Sequence, residues 1–206
     1  MLAASELACV RGERKLFENL AFTLEPGTLL RIAGANGSGK TSLLRIICGL
    51  AMPAHGEVRW QGQPVRTLRE EYHRQLIYIG HLPAVKDDLT AAENLEISCA
   101  LSGARADASE CRATLERLGL SRYADQPARH LSQGQRRRVA LARLAASNDA
   151  ALWVLDEPFT ALDTSAIALV VQLITAHVAR GGIAVMTSHQ EVAVSALVTC
   201  IVDLGG

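Results

Sequence analysis

The stretch GANGSGKT at residues 34–41 decides the fold of this chain. It follows the apolar run at 28–33 and opens the helical pattern at 42–47, so a glycine-rich turn joins a predicted strand to a predicted helix. In that setting, backbone N–H groups and the positive end of the helix can surround a phosphate. Lys40 can reach the outer phosphates and the Thr41 hydroxyl can bind Mg²⁺, whereas a turn used only for packing would need neither residue. The residues predicted to hold a nucleotide here are Gly34, Ala35, Asn36, Gly37, Ser38, Gly39, Lys40, Thr41 and Ser42.

A second apolar run, LWVL at 152–155, ends in two acidic residues. Asp156 lies at the carboxyl end of this predicted strand, where it can hold Mg²⁺ through a water molecule. Glu157 can orient or deprotonate the water that attacks the phosphate. His189, at the end of the next apolar run, can contact the outermost phosphate. Alone, an acidic pair or a histidine after an apolar run predicts only a strand end. The functional roles of these residues therefore depend on the phosphate-binding loop.

Composition limits the remaining classes of function. The 206 residues are 49% hydrophobic, which is enough for one substantial core. Lys+Arg and Asp+Glu each number 21, so no broad basic surface favours nucleic acid, and we expect no nucleic-acid partner. The five cysteines are widely spaced and form no CxxC, which argues against a disulfide framework or a zinc site. Signal-length and membrane-spanning apolar runs are lacking, so we expect a chain that is neither secreted nor membrane-spanning.

Strand and helix patterns alternate along the chain and predict an α/β fold. Thr90 with Glu93, and Ser132 with Gln135, have the spacing of capping boxes at the start of two helices. Between them, SECRATLERLGL at 109–120 predicts a further helix. The predicted strands lie around a turn at Pro26-Gly27, in a hairpin at 56–65, and at 75–81, 151–158, 183–189 and 199–204.

The simplest architecture is a mixed sheet core with an antiparallel β arm and an inserted helical subdomain. We expect a single domain over residues 1–206. Its core comprises 1–81 and 151–206, and the helical subdomain comprises about 82–150.

Five motifs occur in an order that resembles ATP-binding cassette (ABC) ATPases. GANGSGKT, LSQGQRRRVALAR, LWVLDEP, TALD at 160–163 and TSH at 187–189 are similar to that family's Walker A, signature, Walker B, D-loop and H-loop. The resemblance covers nearly the whole chain. It implies a P-loop NTPase fold of the ABC ATPase type, ATP hydrolysis with ATP and Mg²⁺ as cofactors, and a D-loop role for Asp163.

The resemblance also implies a homodimer. In that family two cassettes pack head to tail, and each ATP lies between the P-loop of one and the signature motif of the other. Ser132 caps a helix whose N-terminus presents N–H groups to an anion, and Gly134 lets a phosphate come close. A bare capping box does not account for Gly134, because glycine weakens the first turn of a helix. The signature residues are Leu131, Ser132, Gln133, Gly134 and Gln135.

His81, Arg11 and a run of three arginines need separate interpretation. His81 stands where most cassettes have the Q-loop glutamine; imidazole is a poor Mg²⁺ ligand, so His81 acts through water, on the γ-phosphate, or only in packing. Arg11 stands where an aromatic ring usually stacks on adenine, and a guanidinium plane can stack there too. The arginines at 136–138 are predicted to form a solvated, ion-paired helix face rather than a nucleic-acid patch.

Within the ABC family, IGHLPAVKDDLTAAENL at 79–95 and GGIAVMTSHQ at 181–190 resemble ATP-binding subunits of haem-linked exporters for cytochrome c maturation. Leu82 departs from the glutamine expected after the histidine. The resemblance implies a peripheral protein on the cytoplasmic side of the bacterial inner membrane, with permease subunits of the CcmB and CcmC type. Haem is expected only through these partners, because the chain has no CxxCH.

Other functions share these motifs. A cassette of a different small-solute or lipid exporter differs only in its membrane partner. A soluble regulatory cassette that closes without efficient turnover also remains open, because of His81 and Arg11. A DNA-repair or translation-factor cassette would normally need coiled-coil insertions or a second tandem cassette, and the chain has neither.

Overall fold

The structure is a computed structural model that describes residues 1–103, 107–146, 150–188, 194 and 198–205. Its strands within these residues are β1 (Leu2–Arg11), β2 (Arg14–Leu24), β3 (Thr28–Ala33), β4 (His55–Trp60), β5 (Gln63–Pro64), β6 (Leu76–Ile79), β7 (Leu152–Leu155), β8 (Ile183–Thr187) and β9 (Val198–Asp203). Its α-helices are α1 (Lys40–Ile47), α2 (Val65–Arg74), α3 (Ala91–Leu101), α4 (Ala108–Arg117), α5 (Gln133–Ala146) and α6 (Thr164–Ala179). None of the described helices combines the length and apolar content needed to cross a membrane.

The first sheet is antiparallel, in the order β2-β1-β4-β5. The β4-β5 pair is the hairpin predicted at 56–65. β1 lies between β2 and β4 and turns Leu2, Leu7 and the neighbouring apolar side chains into the core, with register shifts along both of its pairings. The hydrophobic pattern of the N-terminus did not mark β1 as a central strand, since its pairing partners come later in the chain.

The second sheet is parallel, in the order β6-β7-β8-β3-β9. Its strands are the apolar runs that the sequence predicted as buried strands, and β7 and β8 are buried along their whole length. Because all five strands run the same way, their carboxyl ends meet at one edge. That edge brings together the segments after β3, β6, β7 and β8, which contain most of the candidate site.

The helices α3, α4 and α5 lie between β6 and β7 in the chain and pack on one another around their own apolar cluster. The predicted Thr90–Glu93 capping box is present, with both reciprocal hydrogen bonds. Asp107 and Glu110 form a further capping box at α4, which was not predicted from the sequence. The antiparallel and parallel sheets and the helical insertion confirm the predicted α/β fold class of the ABC ATPase type, with the parallel and antiparallel strands in two separate sheets. The exact limits at 81 and 151 remain a prediction.

A buried histidine joins α6 to the parallel sheet. The ring of His177 stacks on Trp153 of β7, with centroids 4.0 Å apart and planes 5° from parallel. Its Nε2 lies 3.1 Å from the carbonyl oxygen of Ile183, so the neutral ring can donate a hydrogen bond there. Burial lowers the pKa of His177 to about 4 from its ordinary value of 6.5.

This burial predicts a loss of stability on mild acidification. Below about pH 6.5 the unfolded chain binds a proton that the folded chain does not accept until pH about 4, so stability falls through this window by about 1.4 kcal/mol per pH unit. Urea unfolding at about pH 7 and pH 5 measures it: wild type should lose about 2 kcal/mol more than His177→Gln, whose side chain does not titrate. An equal pH dependence in the two proteins would exclude His177 as the responsible group.

Candidate nucleotide-binding site

A cleft of about 630 Å³ opens at the carboxyl edge of the parallel sheet. It brings together the phosphate-binding loop, the acidic end of β7 and the segment after β6. Residues of the predicted site that line it are Arg11, Asn36, Gly37, Gly39, Lys40, Thr41, Ser42, His81, Asp156 and Glu157. Four further residues that were not predicted from the sequence also line the cleft: Arg14, Leu16, Phe159 and Thr160. Arg14 could have been found, since it shares the β1-β2 turn with Arg11.

The phosphate-binding loop wraps around the side chain of Lys40. The ammonium donates hydrogen bonds to the carbonyl oxygens of Gly34, at 2.7 Å, and Ala35, at 3.0 Å. α1 begins at Lys40 behind Gly39, which has a φ of 105°. A Cβ on Gly39 would lie 3.0 Å from the Cβ of Leu16, so glycine allows both the backbone turn and the close approach of β2.

The loop also contains a buried polar atom that suits an anion. The Ser38 hydroxyl oxygen is buried, and no group in the described part of the chain hydrogen-bonds to it. A phosphate oxygen is an acceptor that this hydroxyl can satisfy. Together with the N–H groups of the first turn of α1, Ser38 and Lys40 provide the donors that a polyphosphate requires.

Two hydroxyls hold the carboxylate of Asp156. Thr41 donates to one carboxylate oxygen at 2.9 Å, and Thr187 at the end of β8 donates to the other at 2.8 Å. Asp156 is only 2% exposed. A hydroxyl and a carboxylate in contact are oxygen ligands of the kind that Mg²⁺ prefers, so this pair fits the ion. The positioning role of Thr187 was not predicted from its place in the TSH motif.

Glu157 has an unusual backbone conformation. Its φ is 50°, in the left-handed region, where a residue with a β-carbon costs of order 1 kcal/mol or more. Its backbone N–H donates to the Thr187 hydroxyl at 2.9 Å. Thr187 therefore holds both members of the acidic pair, and Glu157 lines the cleft beside Asp156.

Three single candidate residues within the described part of the chain lie around or beyond the cleft. Arg11, at the end of β1, and His81, after β6, are exposed side chains at the margin of the cleft. His189 lies outside the described residues. Asp163 accepts hydrogen bonds from the Ala166 N–H and the Ser165 hydroxyl at the start of α6, and these bonds lower its pKa.

The signature residues lie away from the cleft of their own chain, and none of them lines it. The predicted capping box at α5 is present: the Gln135 N–H donates to the Ser132 hydroxyl and the Ser132 N–H donates to the Gln135 side chain. Ser132 is exposed. Gly134 has a packing reason that the sequence did not reveal, because a Cβ there would lie 2.5 Å from the carbonyl oxygen of Ala161. Gly134 by itself is therefore not evidence for a phosphate.

The prediction for the arginines at 136–138 is wrong for one of the three. Arg136 pairs with Asp87, and Arg138 pairs with Asp163 at 3.0 Å, as an ion-paired face requires. Arg137, in contrast, is only 3% exposed. Its guanidinium is enclosed by two loops at the edge of the sheet and donates hydrogen bonds to their main-chain carbonyl groups. Helical charge patterning could not show this, since those loops are distant in sequence.

A phosphate-binding loop, an acidic strand end and a separate capped glycine motif on one chain define a nucleotide-hydrolysing cassette. The sequence profile of the ABC transporter family matches residues 17–160. The chain belongs to the ABC transporter family of ATPases.

The chain is also similar to individual members of this family. It is 53% identical to the cytochrome c biogenesis ATP-binding export protein CcmA of Aromatoleum aromaticum, over 93% of this chain and 89% of that protein. It is 51% identical to CcmA of Nitrosomonas europaea, over 95% of this chain and 91% of that protein.

Two solved structures share the fold. One is described as an ABC transporter ATP-binding protein from Pyrococcus furiosus; it has a TM-score of 0.83 and 26% identity, over 98% of this chain and 96% of its own. The other is a dimeric ATP-binding cassette in a post-hydrolysis state with ADP and Pi bound, with a TM-score of 0.79 and 26% identity, over 92% of this chain and 88% of its own.

Proposed function

We propose that this chain is the ATP-hydrolysing subunit of an export complex for cytochrome c biogenesis. The observation that carries the enzymatic part is the Thr41–Asp156–Thr187 hydrogen-bonded chain, which places Glu157 in the same cleft as the phosphate-binding loop. The export complex is inferred from the similarity to the CcmA proteins, which extends over more than nine-tenths of this chain.

In the proposed reaction, Lys40, Ser38 and the loop N–H groups hold the β- and γ-phosphates of ATP. Thr41 would bind Mg²⁺ directly and Asp156 through water; the ion, when bound, neutralises charge on the phosphates. Glu157 accepts a proton from the water that attacks the γ-phosphate in line with the leaving oxygen. Lys40 stabilises the charge that develops during transfer.

Three further residues have proposed roles at the edge of this reaction. Arg11 stacks on the adenine base from the β1-β2 turn. His81 and His189 act near the γ-phosphate, directly or through water. The exposure of Arg11 and His81 at the margin of the cleft leaves both side chains able to turn towards a nucleotide.

We propose that two copies of the chain form a head-to-tail homodimer. Ser132 is exposed and outside its own cleft, so a phosphate that it binds belongs to a nucleotide on another copy. Leu131, Gln133, Gly134 and Gln135 complete this trans site around the N-terminus of α5. The dimeric cassette with ADP and Pi is a precedent for the assembly.

The partners proposed for this dimer are permease subunits of the CcmB and CcmC type, on the cytoplasmic side of the bacterial inner membrane. The segment from 81 to 93 joins the cleft to α3 and is the proposed coupling element. Haem is handled by the membrane subunits and not by this chain.

The test is co-purification from native membranes. A tagged Glu157→Gln chain, with ATP and Mg²⁺ present, should bring down small polytopic subunits and a haem-carrying chaperone from detergent extracts. A Lys40→Ala chain, unable to hold the phosphates, is the matched control. Recovery of an unrelated permease would remove the cytochrome c assignment and keep the ATPase, whereas recovery of soluble partners alone would remove the exporter assignment.

A further inference from the structure

Arg137 lies near the N-terminus of α5 and donates hydrogen bonds to two distant segments. One terminal nitrogen donates to the carbonyl oxygen of Gly80 at 2.7 Å and lies 3.4 Å from that of His81. The other donates to the carbonyl oxygens of Asp156, at 2.7 Å, and Glu157, at 2.8 Å. One side chain thus connects the segment after β6 with the segment after β7.

Arg137 is only 3% exposed, and burial of a charged guanidinium is costly unless hydrogen bonds replace the lost water. Within the described residues its hydrogen bonds go to main-chain carbonyl oxygens, and no salt bridge joins it to a carboxylate. Burial lowers the pKa of Arg137, while the charges of Asp156 and Glu157 act in the opposite direction. A buried cation that donates its hydrogen bonds to main-chain carbonyls of two loops suits a role in fixing those loops.

The backbone of Glu157 explains how two successive carbonyls reach the same nitrogen. Successive carbonyl groups of an extended strand point to opposite sides. At Glu157 the left-handed φ of 50° turns both carbonyl groups to one side. One terminal nitrogen of Arg137 donates a hydrogen bond to each of them. The same conformation sets the direction in which the Glu157 side chain leaves the backbone.

We propose that Arg137 is a positioning residue, which holds the main chain of Asp156-Glu157 against residues 80–81 and so sets the place of the Glu157 carboxylate in the cleft. This inference rests on the proposed role of Glu157 in ATP hydrolysis. Because Arg137 and the signature motif share α5, a movement of that helix is transmitted to Glu157 and His81 together.

The experiment compares steady-state ATP hydrolysis by wild type and Arg137→Gln. We expect kcat to fall by about ten- to a hundredfold, the range for misplacing a catalytic group by about an ångström, while KM for ATP changes by less than about threefold. Arg137→Lys keeps the charge but not the planar fork, and should recover only part of the rate. Arg143→Gln is the matched control: Arg143 is a second, partly buried arginine on α5, and within the described residues it donates no hydrogen bond to residues 80–81 or 156–157.

A merely structural role is separated by a double-mutant cycle. In single-turnover measurements, Arg137→Gln should have little further effect in a Glu157→Gln background, because the group that Arg137 positions is already absent. An undiminished loss in that background, or a kcat within about twofold of wild type, would overturn the proposal. If Arg137→Gln does not fold, the same cycle is read with Arg137→Lys. Absence of ATPase activity in wild type would instead contradict the proposed role of Glu157 itself.

Discussion

Glu157→Gln should lower the ATP hydrolysis rate by about a hundredfold or more and leave ATP binding nearly unchanged, since loss of a general base costs about 10²–10⁴ in rate. Glutamine has the same shape as glutamate, so the backbone bonds of residue 157 to Thr187 and Arg137 are preserved. What is lost is the carboxylate proposed to take the proton from water. The substitution does not touch the hydrogen bonds of Lys40 to the phosphate-binding loop, so ATP binding should persist.

Phosphate release under saturating ATP and Mg²⁺ gives the rate, and size-exclusion chromatography with ATP gives the assembly. The variant should elute as an ATP-bound dimer, because ATP favours the closed state and is no longer consumed. Glu25→Gln, at an exposed position between β2 and β3, is the matched control for removal of one negative charge. A Glu157→Gln protein that hydrolyses ATP near the wild-type rate would exclude Glu157 as the base.

The features predicted from sequence are those that depend on short-range chemistry. The phosphate-binding loop needs glycine, lysine and threonine at fixed spacing between a strand and a helix, and the structure has that strand and that helix around residues 34–41. The capping boxes at Thr90 and Ser132 are also local, because each joins residues three positions apart. Short apolar runs predicted the inner strands β7 and β8 of the parallel sheet because these strands are buried along their whole length.

The features that were missed depend on contacts between distant parts of the chain. Arg137 has the sequence context of a solvated helix face, and only the folding of loops 80–81 and 156–157 over α5 encloses it. Gly134 was interpreted through its proposed ligand, whereas its nearest neighbour in space is the carbonyl of Ala161. The stacking of His177 on Trp153 likewise joins a helix to a strand with no sequence signal. The spacing of residues along the chain cannot predict contacts between residues that are far apart in sequence.

Ser132→Arg should reduce ATP hydrolysis by more than about a hundredfold, comparable to loss of a transition-state donor, while each isolated chain still binds ATP. Ser132 is exposed at the N-terminus of α5 and does not line the cleft of its own chain. An arginine there removes the cap, at a cost of about 1 kcal/mol, and fills the space where the partner's phosphate would lie. Binding of a fluorescent ATP analogue to dilute protein measures the monomer, and phosphate release measures the assembled enzyme. Ser121→Arg, an exposed serine elsewhere in the helical subdomain, is the matched control.

Mixing two inactive chains tests whether Ser132 acts on the nucleotide of the other copy. When Ser132→Arg protein is combined with Lys40→Ala protein, a heterodimer has one site that contains both lesions and one site with an intact loop and an intact signature motif. If Ser132 acts in trans, each heterodimer should close on ATP and hydrolyse it at its one intact site. If Ser132 acted within its own chain, each site would keep one lesion and the mixture would stay inactive. Loss of ATP binding by the isolated Ser132→Arg monomer would contradict the trans assignment more directly, because the exposed cap of α5 would then have to support its own cleft.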